Sequence, residues 1–563
     1  MELVERSADA TAWPSLLAWL DRPAADRGIR FAGEGDSWDL WSYERLASLA
    51  RSVAQGLAAA GVGAGEVVVL LLRSGPEFVG ALFGTLLAGA AASPAAPPMA
   101  FQDPVAYRDE LRALLAAARP VAVLTAPSLA GAVHAAAGGA RVLSIPDVLS
   151  AAAERAPEHG GHIADPIADP IADPGATALL QFTAGSSGRA RGVTVPRRAL
   201  EANVAAIGTW LRLDREDVVA SWLPVHHDMG LVGCLLTPVA HQTDLWLLQP
   251  EHFVRNPVRY LRCFGRAGAA LSAMPGFGLD HIVRRVQPRE LAGMDFSAWR
   301  ALILGAERID PRSLDRFCDL LGPFGLRPSC LLPAYGLAEA TLAVTGLSPG
   351  AGWRAVEVDP ASLSPGLAVR LTPAERAGAR IVGCGRPLGE ASVAILDESS
   401  EPLPEGVVGE IAVQGPCLAS GYAGGGSASL TRFAAGQLRT ADAGFLLDGE
   451  LFVLGRLGDS VKVRGRAVFA EELEAALRLL PSPPRRLAAA LGWHRGAPTV
   501  AVVFEGSADA WLEEARLLLE ARTPGAAIVT VEAPRGAIPR TTSGKVRRRR
   551  LWRALVEGEL NAS

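Results

Sequence analysis

The stretch YERLASLARSVAQGLAAAGV, residues 43–62, carries apolar residues at helical spacing and meets a stop at Gly61, which predicts an amphipathic helix. GEVVVLLL follows as a continuous apolar run, the pattern of a strand buried on both faces, and a helix is predicted over about 76–89. LRALLAAARPVAVLTAP repeats the order helix, then strand. This alternation predicts an α/β architecture with buried parallel strands. The most apolar long stretch, GALFGTLLAGAAASPAAPPMAF, is diluted by Gly, Ala and Pro, and reads as a buried helix running into a short strand, not a membrane span. Between Gly409 and Val463 the period changes. GEIAVQG, GELFVLGR and DSVKVRG are short strands punctuated by DGE and LGD turns, as in an antiparallel sheet or barrel. A helix over 471–480, a strand APTVAVVFEG, a helix near 510–522 and a basic end complete the pattern. A boundary near Arg456 to Ser460 divides 1–456 from 457–563.

Length and composition narrow the class. A chain of 563 residues is too long for one core. With 55 Lys+Arg against 59 Asp+Glu, nothing advertises nucleic-acid binding. Residues 1–13 include Glu2, Glu5 and Asp9 and no apolar run, unlike a secretory signal. Six cysteines without a C-x-x-C pair argue against a disulfide framework or zinc site, so a reducing cytoplasm is expected. The triple IADP repeat, 163–174, has Pro at every fourth position and reads as a surface linker. Only two lysines occur, Lys462 and Lys545, among many arginines. A retained Lys marks a candidate site for a compact, flexible charge in place of a planar fork, with chance survival as the alternative.

Candidate chemistry starts at LLQFTAGSSGRARGV, residues 179–193. Backbone N–H groups of a Gly/Ser-rich loop, with hydroxyls and a guanidinium, can wrap phosphate oxygens. A Walker loop needs G-x-x-x-x-G-K-[ST], which is missing here. AYGLAEATL (334–342), LRTADAG (438–444), GRLGDSVKVRGR (455–466) and IPRTTSGKVRRR (538–549) follow in order. With this set the chain resembles the adenylate-forming superfamily of acyl-CoA synthetases, amino-acid adenylation domains and luciferases. SWLPVHHDMGLVGCLLTPV (221–239) and NPVRYLRCFGRAGAALSAMPGFGLD (256–280) are similar to the fatty acyl-AMP ligase branch.

The resemblance implies a large N-terminal domain of α/β subdomains with a β-rich subdomain, and a small mobile C-terminal α+β domain. It implies ATP and Mg²⁺ as cofactors, a fatty or related carboxylic acid as substrate, and an acyl carrier protein acting in trans as acceptor. Lys545 matches the catalytic lysine, and Glu339, with Thr183, the metal site. Thr183, Ser186, Ser187, Gly188 and Arg191 match the pyrophosphate loop. Ala334, Tyr335, Gly336 and Leu337 would bind adenine on one side and Gly305, Ala306 and Glu307 on the other, with Asp442 and Arg456 at the ribose. His227, Asp228, Met229 and Gly230 would meet the acyl carboxyl group, and Met274, Gly276 and Leu304 the chain. The branch also carries an insertion, matched in position by the polar stretch 347–380.

Several positions depart from the branch. Arg191 replaces the usual Lys and Ala184 a usual Ser. Gly276 and Leu304 stand where Asn is common, which predicts a roomier, more apolar pocket. Gly458 takes the hinge position, where its φ/ψ freedom predicts ready rotation of the C-terminal domain. Asp280 is expected at the start of a helix, badly placed to meet an α-ammonium, which disfavours an amino acid substrate. The basic end, Arg547–Arg550 and Arg553, is expected to be a solvated helix start facing an acidic partner. Two alternatives stay open: an acyl-CoA synthetase, and a non-catalytic nucleotide or acyl sensor, which should have lost Lys545 or Glu339.

Overall fold

The computed structural model describes residues 15–98, 103–154, 173–184, 190–373, 379–424, 430–434, 436–464, 466–540 and 545–560. The predicted first helix is Tyr43–Ala59, capped by the Ser42 hydroxyl, which accepts from the Arg45 N–H. The GEVVVLLL run forms the strand Val67–Leu71, and Pro76–Leu87 the following helix.

Two large sheets carry the first three quarters of the chain. In one, the strands Leu331–Gly336, Ala301–Leu304, Leu271–Met274, Val218–Ser221, Asp244–Leu247 and Gly28–Ala32 run parallel in that spatial order. Antiparallel strands Ala343–Gly346 and Trp38–Ser42 flank them. The other sheet has Val67–Leu71 at its parallel heart and ends in the antiparallel hairpin Thr177–Ala184/Ala190–Pro196. The helices Tyr43–Ala59, Pro76–Leu87 and Arg197–Leu211 bury their apolar faces in a core shared by both sheets. A second core gathers Trp222, Phe253, Tyr260, Phe264 and Trp299 under the Gly276–Arg285 and Pro311–Leu321 helices.

The period change after Gly409 is a five-stranded antiparallel sheet containing Gly409–Gln414, Gln437–Leu447 and Glu450–Arg456. Ser460–Val463 leaves it and pairs with Arg466–Phe469 instead. Beyond it, the strands Leu487–His494, Ala497–Glu505 and Ala527–Ala533 and the helices Ala470–Leu477, Asp509–Arg522 and Arg548–Val556 have cores of their own. Among the described residues no helix is long and apolar enough to cross a membrane. All six cysteines are free thiols. Most of the IADP repeat, 163–172, lies outside the described residues.

Two expectations are corrected. Asp280 lies in the second turn of the Gly276–Arg285 helix, where it accepts from Ser313 and pairs with Arg316. Arg548 is not solvated. Its guanidinium reaches Glu474 at 2.9 Å, Glu471 at 3.0 Å and Asp459 at 3.9 Å, because three inward carboxylates of its own region need a cation. Gly458 sits in the Leu457–Asp459 turn, where a Cβ would lie 2.7 Å from Leu430 Cδ1 and 3.0 Å from an Arg549 nitrogen, both at the ends of flexible side chains.

Candidate active site

The carboxyl ends of the parallel strands, where open α/β sheets bind ligands, face a cavity of about 1190 Å³. Its polar end is built on strand termini and the turns that follow them. Thr183 is the penultimate residue of one strand of the hairpin, and Arg191 lies opposite it in register. Ser186, Ser187 and Gly188 fall in the hairpin's tip, outside the described residues.

The Arg191 guanidinium lies 4.3 Å from the ring centre of Tyr422, a cation–π geometry. The Tyr422 hydroxyl donates to Glu339 Oε1 at 2.6 Å. Tyr422 thus ties the candidate phosphate-binding cation Arg191 to the candidate metal carboxylate. It belongs to a two-residue strand against Val193–Thr194, too short to have been noticed in the sequence. Glu339 follows the Leu331–Gly336 strand, which turns sharply at Gly336; a Cβ there would lie 1.9 Å from the Leu342 carbonyl oxygen, so only glycine fits. One buried carboxylate, with no cluster of three metal-binding side chains among the described residues, suits a Mg²⁺ held mainly by phosphate and water.

Asp442 and Arg456 pair across neighbouring strands, with Nε 3.1 Å from Oδ1. The Tyr335 hydroxyl donates to the other Asp442 oxygen at 2.7 Å. Asp442 raises the already high pKa of Arg456, and burial drives that of Tyr335 up as well. Ala306, Thr341 and Ala441 hold left-handed backbone at φ +71°, +67° and +62°, beside Glu307, Glu339 and Asp442 respectively. Such strain in non-glycine residues gathers where the backbone is held for function.

His227 and Asp228 precede a π-helix, Met229–Leu236, and the Asp228 carboxylate caps it by accepting the Met229 N–H at 2.8 Å. Burial, and then the charge of Lys545, lower the His227 pKa to about 4, so the imidazole is neutral at ordinary pH. Lys545 enters the same cavity from the far wall, near enough to act electrostatically on His227, Asp228 and Glu307. The 457–563 region supplies that wall with Glu471, Glu472, Arg478, Arg540 and Lys545.

The cavity also has an apolar arm, walled by Ile207, Trp210, Leu211, Leu213, Val219, Cys234, Leu271 and Ile303. None of these was found from the sequence, because the wall combines one face of the Arg197–Leu211 helix with single residues drawn from five other segments. Conversely, Met274, Leu304, Gly230 and Gly276 do not line it. Met274 and Leu304 are register partners turned into the second core. A Cβ on Gly230 would lie 2.3 Å from the Pro224 carbonyl oxygen, so this glycine serves close packing. The space beside Gly276 is filled by the Glu307 carboxylate, which accepts the Phe277 N–H at 2.9 Å, so that corner is polar rather than roomy and apolar. Thr183, Arg191, Gly305, Ala306, Glu307, Ala334, Tyr335, Gly336, Leu337, Glu339, Asp442, Arg456, His227, Asp228, Met229 and Lys545 all line the one cavity.

Comparison with known proteins agrees with this geometry. Residues 18–423 match the family described as AMP-binding enzyme. A 4-hydroxyphenylalkanoate adenylyltransferase of Mycobacterium marinum is 31% identical over 96% of this chain and 88% of its own length. Long-chain-fatty-acid--AMP ligase FadD26 of the same organism is 31% identical over 86% of each chain. A structure from studies of fatty acyl-adenylate ligases of E. coli and L. pneumophila superposes with TM-score 0.86 at 30% identity, covering 97% of this chain and 98% of the other. The chain belongs to the AMP-binding, adenylate-forming enzymes, in their fatty acyl-AMP ligase branch.

Proposed function

We propose that the protein uses ATP to convert a fatty or related carboxylic acid into an acyl-AMP and pyrophosphate. The acyl group is then passed to the phosphopantetheine thiol of a separate acyl carrier protein. The observation that carries this reading is the shape of one cavity: a polar end with Lys545, His227, Glu339 and Arg191, continuous with an apolar arm.

The chemistry is an in-line displacement. A carboxylate oxygen forms a bond to the α-phosphorus, and the bond from that phosphorus to the bridging oxygen breaks, releasing pyrophosphate. Little covalent work falls to the protein, so positioning and electrostatics dominate. Neutral His227 donates a hydrogen bond to the acid without competing for its proton. Lys545 neutralises charge between carboxylate and α-phosphate. Thr183, Ser186, Ser187, Gly188 and Arg191 hold the departing phosphates, Asp442 the ribose hydroxyls, and Tyr335 with Gly305–Ala306 the base. Glu339 would hold Mg²⁺, which lowers the charge on the phosphate oxygens when bound. The 457–563 region acts as a separate domain that brings Lys545 to the site.

The test is one incubation with ATP, Mg²⁺ and a panel of carboxylic acids, with CoA or an acidic acyl carrier protein as acceptor, read by mass spectrometry. Acyl-AMP with acyl-carrier and no acyl-CoA is expected. Abundant acyl-CoA overturns the choice of acceptor, and ATP binding with no adenylate from any acid overturns the enzyme reading.

A further inference from the structure

The apolar arm has a definite inner end. The Arg197–Leu211 helix runs along the Ala343–Gly346 strand: near its middle the Asn203 amide donates to the Ala343 carbonyl at 2.8 Å and its oxygen accepts the Ala343 N–H at 3.1 Å. Near its end the Trp210 indole N–H donates to the Leu347 carbonyl at 2.9 Å. The Ala343–Gly346 strand is antiparallel to Leu331–Gly336, so the helix descends from the reactive end towards the starts of the parallel strands. There, Arg300 donates to the Leu211 carbonyl just before the Ala301–Leu304 strand begins. Val219 and Leu271, which also line the arm, face each other in register at the same depth. From Leu271 to the strand end at Met274 is about 10 Å, at roughly 3.3 Å per residue.

Trp210 is fixed at this inner end from two sides. Beyond the Leu347 bond, its ring packs on Gly346, where a Cβ would lie 2.2 Å from Trp210 Cζ2 and 2.6 Å from Cε2. Glycine is what lets the indole lie back against the strand. Leu347 opens the polar 347–380 stretch, so the start of that stretch is tied to the floor of the arm.

We propose that Trp210 is the stop that sets the longest acyl chain admitted, held in place by Leu347 and by the missing side chain of Gly346. This rests on the acid-adenylating reading above and adds the determinant of chain length. A rigid indole held at the inner end of the arm rejects a chain that reaches past it, and a hydrophobic pocket discriminates by roughly tenfold or more per methylene.

The experiment measures kcat/KM for pyrophosphate release on straight-chain acids of increasing length, taking the ratio of a long acid to a short one. Trp210→Ala should raise that ratio at least about tenfold. Leu213→Phe, which fills the same end from a different element, should lower it by a similar factor, and it keeps the test alive should the Trp210 variant not fold. A ratio unchanged within about twofold in a folded variant of either kind, judged by its thermal transition, overturns the proposal. Wild-type protein that adenylates no acid at any length is a different failure, which removes the adenylation reading and this one with it.

Discussion

At the residue scale the site divides into groups that carry charge and groups that hold them. The charge of Lys545 acts on both His227 and Asp228, so Lys545→Ala is expected to lower the adenylation rate by about 10²–10³-fold while ATP still binds. Pyrophosphate release and nucleotide titration measured together check this. Among the described residues Lys462 pairs with exposed Glu398 at 3.3 Å, and Lys462→Ala should cost far less in the same assay. Tyr422→Phe keeps the ring beneath Arg191 but removes the bond to Glu339. The expected loss is about 1 kcal/mol, appearing as a roughly fivefold higher Mg²⁺ requirement in an adenylation titration. His227 should show no titration of its own between about pH 5.5 and 8, because its pKa is held near 4. An inflection in kcat/KM in that window that vanishes in His227→Asn would contradict the assignment.

At the element scale, much of the architecture is legible in the chain. Long periodic runs such as residues 43–59, and the unbroken apolar strand at 67–71, name themselves, since burial selects a single period over many residues. The segments carrying Thr183, Glu339, Asp442 and Lys545 are legible for a different reason: polar side chains in fixed local patterns, whether on strands or on the segments between them, line the one cavity. The acyl arm is not legible, because its walls are assembled from residues as distant as Ile207 and Ile303. Met274 shows the limit clearly. Its place in the MPGF segment puts it at the right strand end, but the pleat turns its side chain to the other face of the sheet, into the second core. Tyr422 escapes notice because its strand is two residues long. Arg548 stands in a run of four arginines and looks like surface charge, yet Glu471 and Glu474 of the Ala470–Leu477 helix and Asp459 of the preceding turn enclose it. Replacing Arg548 with Ala strands those carboxylates together. The expected loss is about 3–5 kcal/mol, seen as a lower urea midpoint, with Arg550→Ala, an exposed neighbour, nearly neutral.

At the scale of the whole molecule, the 457–563 region meets the larger body through charge as well as apolar contact. Arg308, after the Ala301–Leu304 strand, feels Glu472 and Glu471 across the cavity, Arg312 donates to the Arg478 carbonyl at 3.2 Å, and Arg547 pairs with Glu110 at 3.3 Å. Glu471 is the group most sensitive to pH in this set. Burial raises its pKa to about 7, the nearby Arg548 opposing and Asp459 and Glu474 assisting the rise. Since 4.5 is its ordinary value, the folded state binds the Glu471 proton more tightly than the unfolded chain does. Between those two values the native protein holds the extra proton, so this residue's contribution to stability falls as pH rises through the window and levels off above 7. The size is on the order of 3 kcal/mol at full development. Glu471→Gln keeps the shape and removes the ionisation. Urea midpoints of wild type and variant should therefore diverge from about pH 5 to about pH 8, the variant gaining relative to wild type as pH rises. Parallel curves across that range would mean that Glu471 titrates alike folded and unfolded, and that Arg548 balances its charge completely.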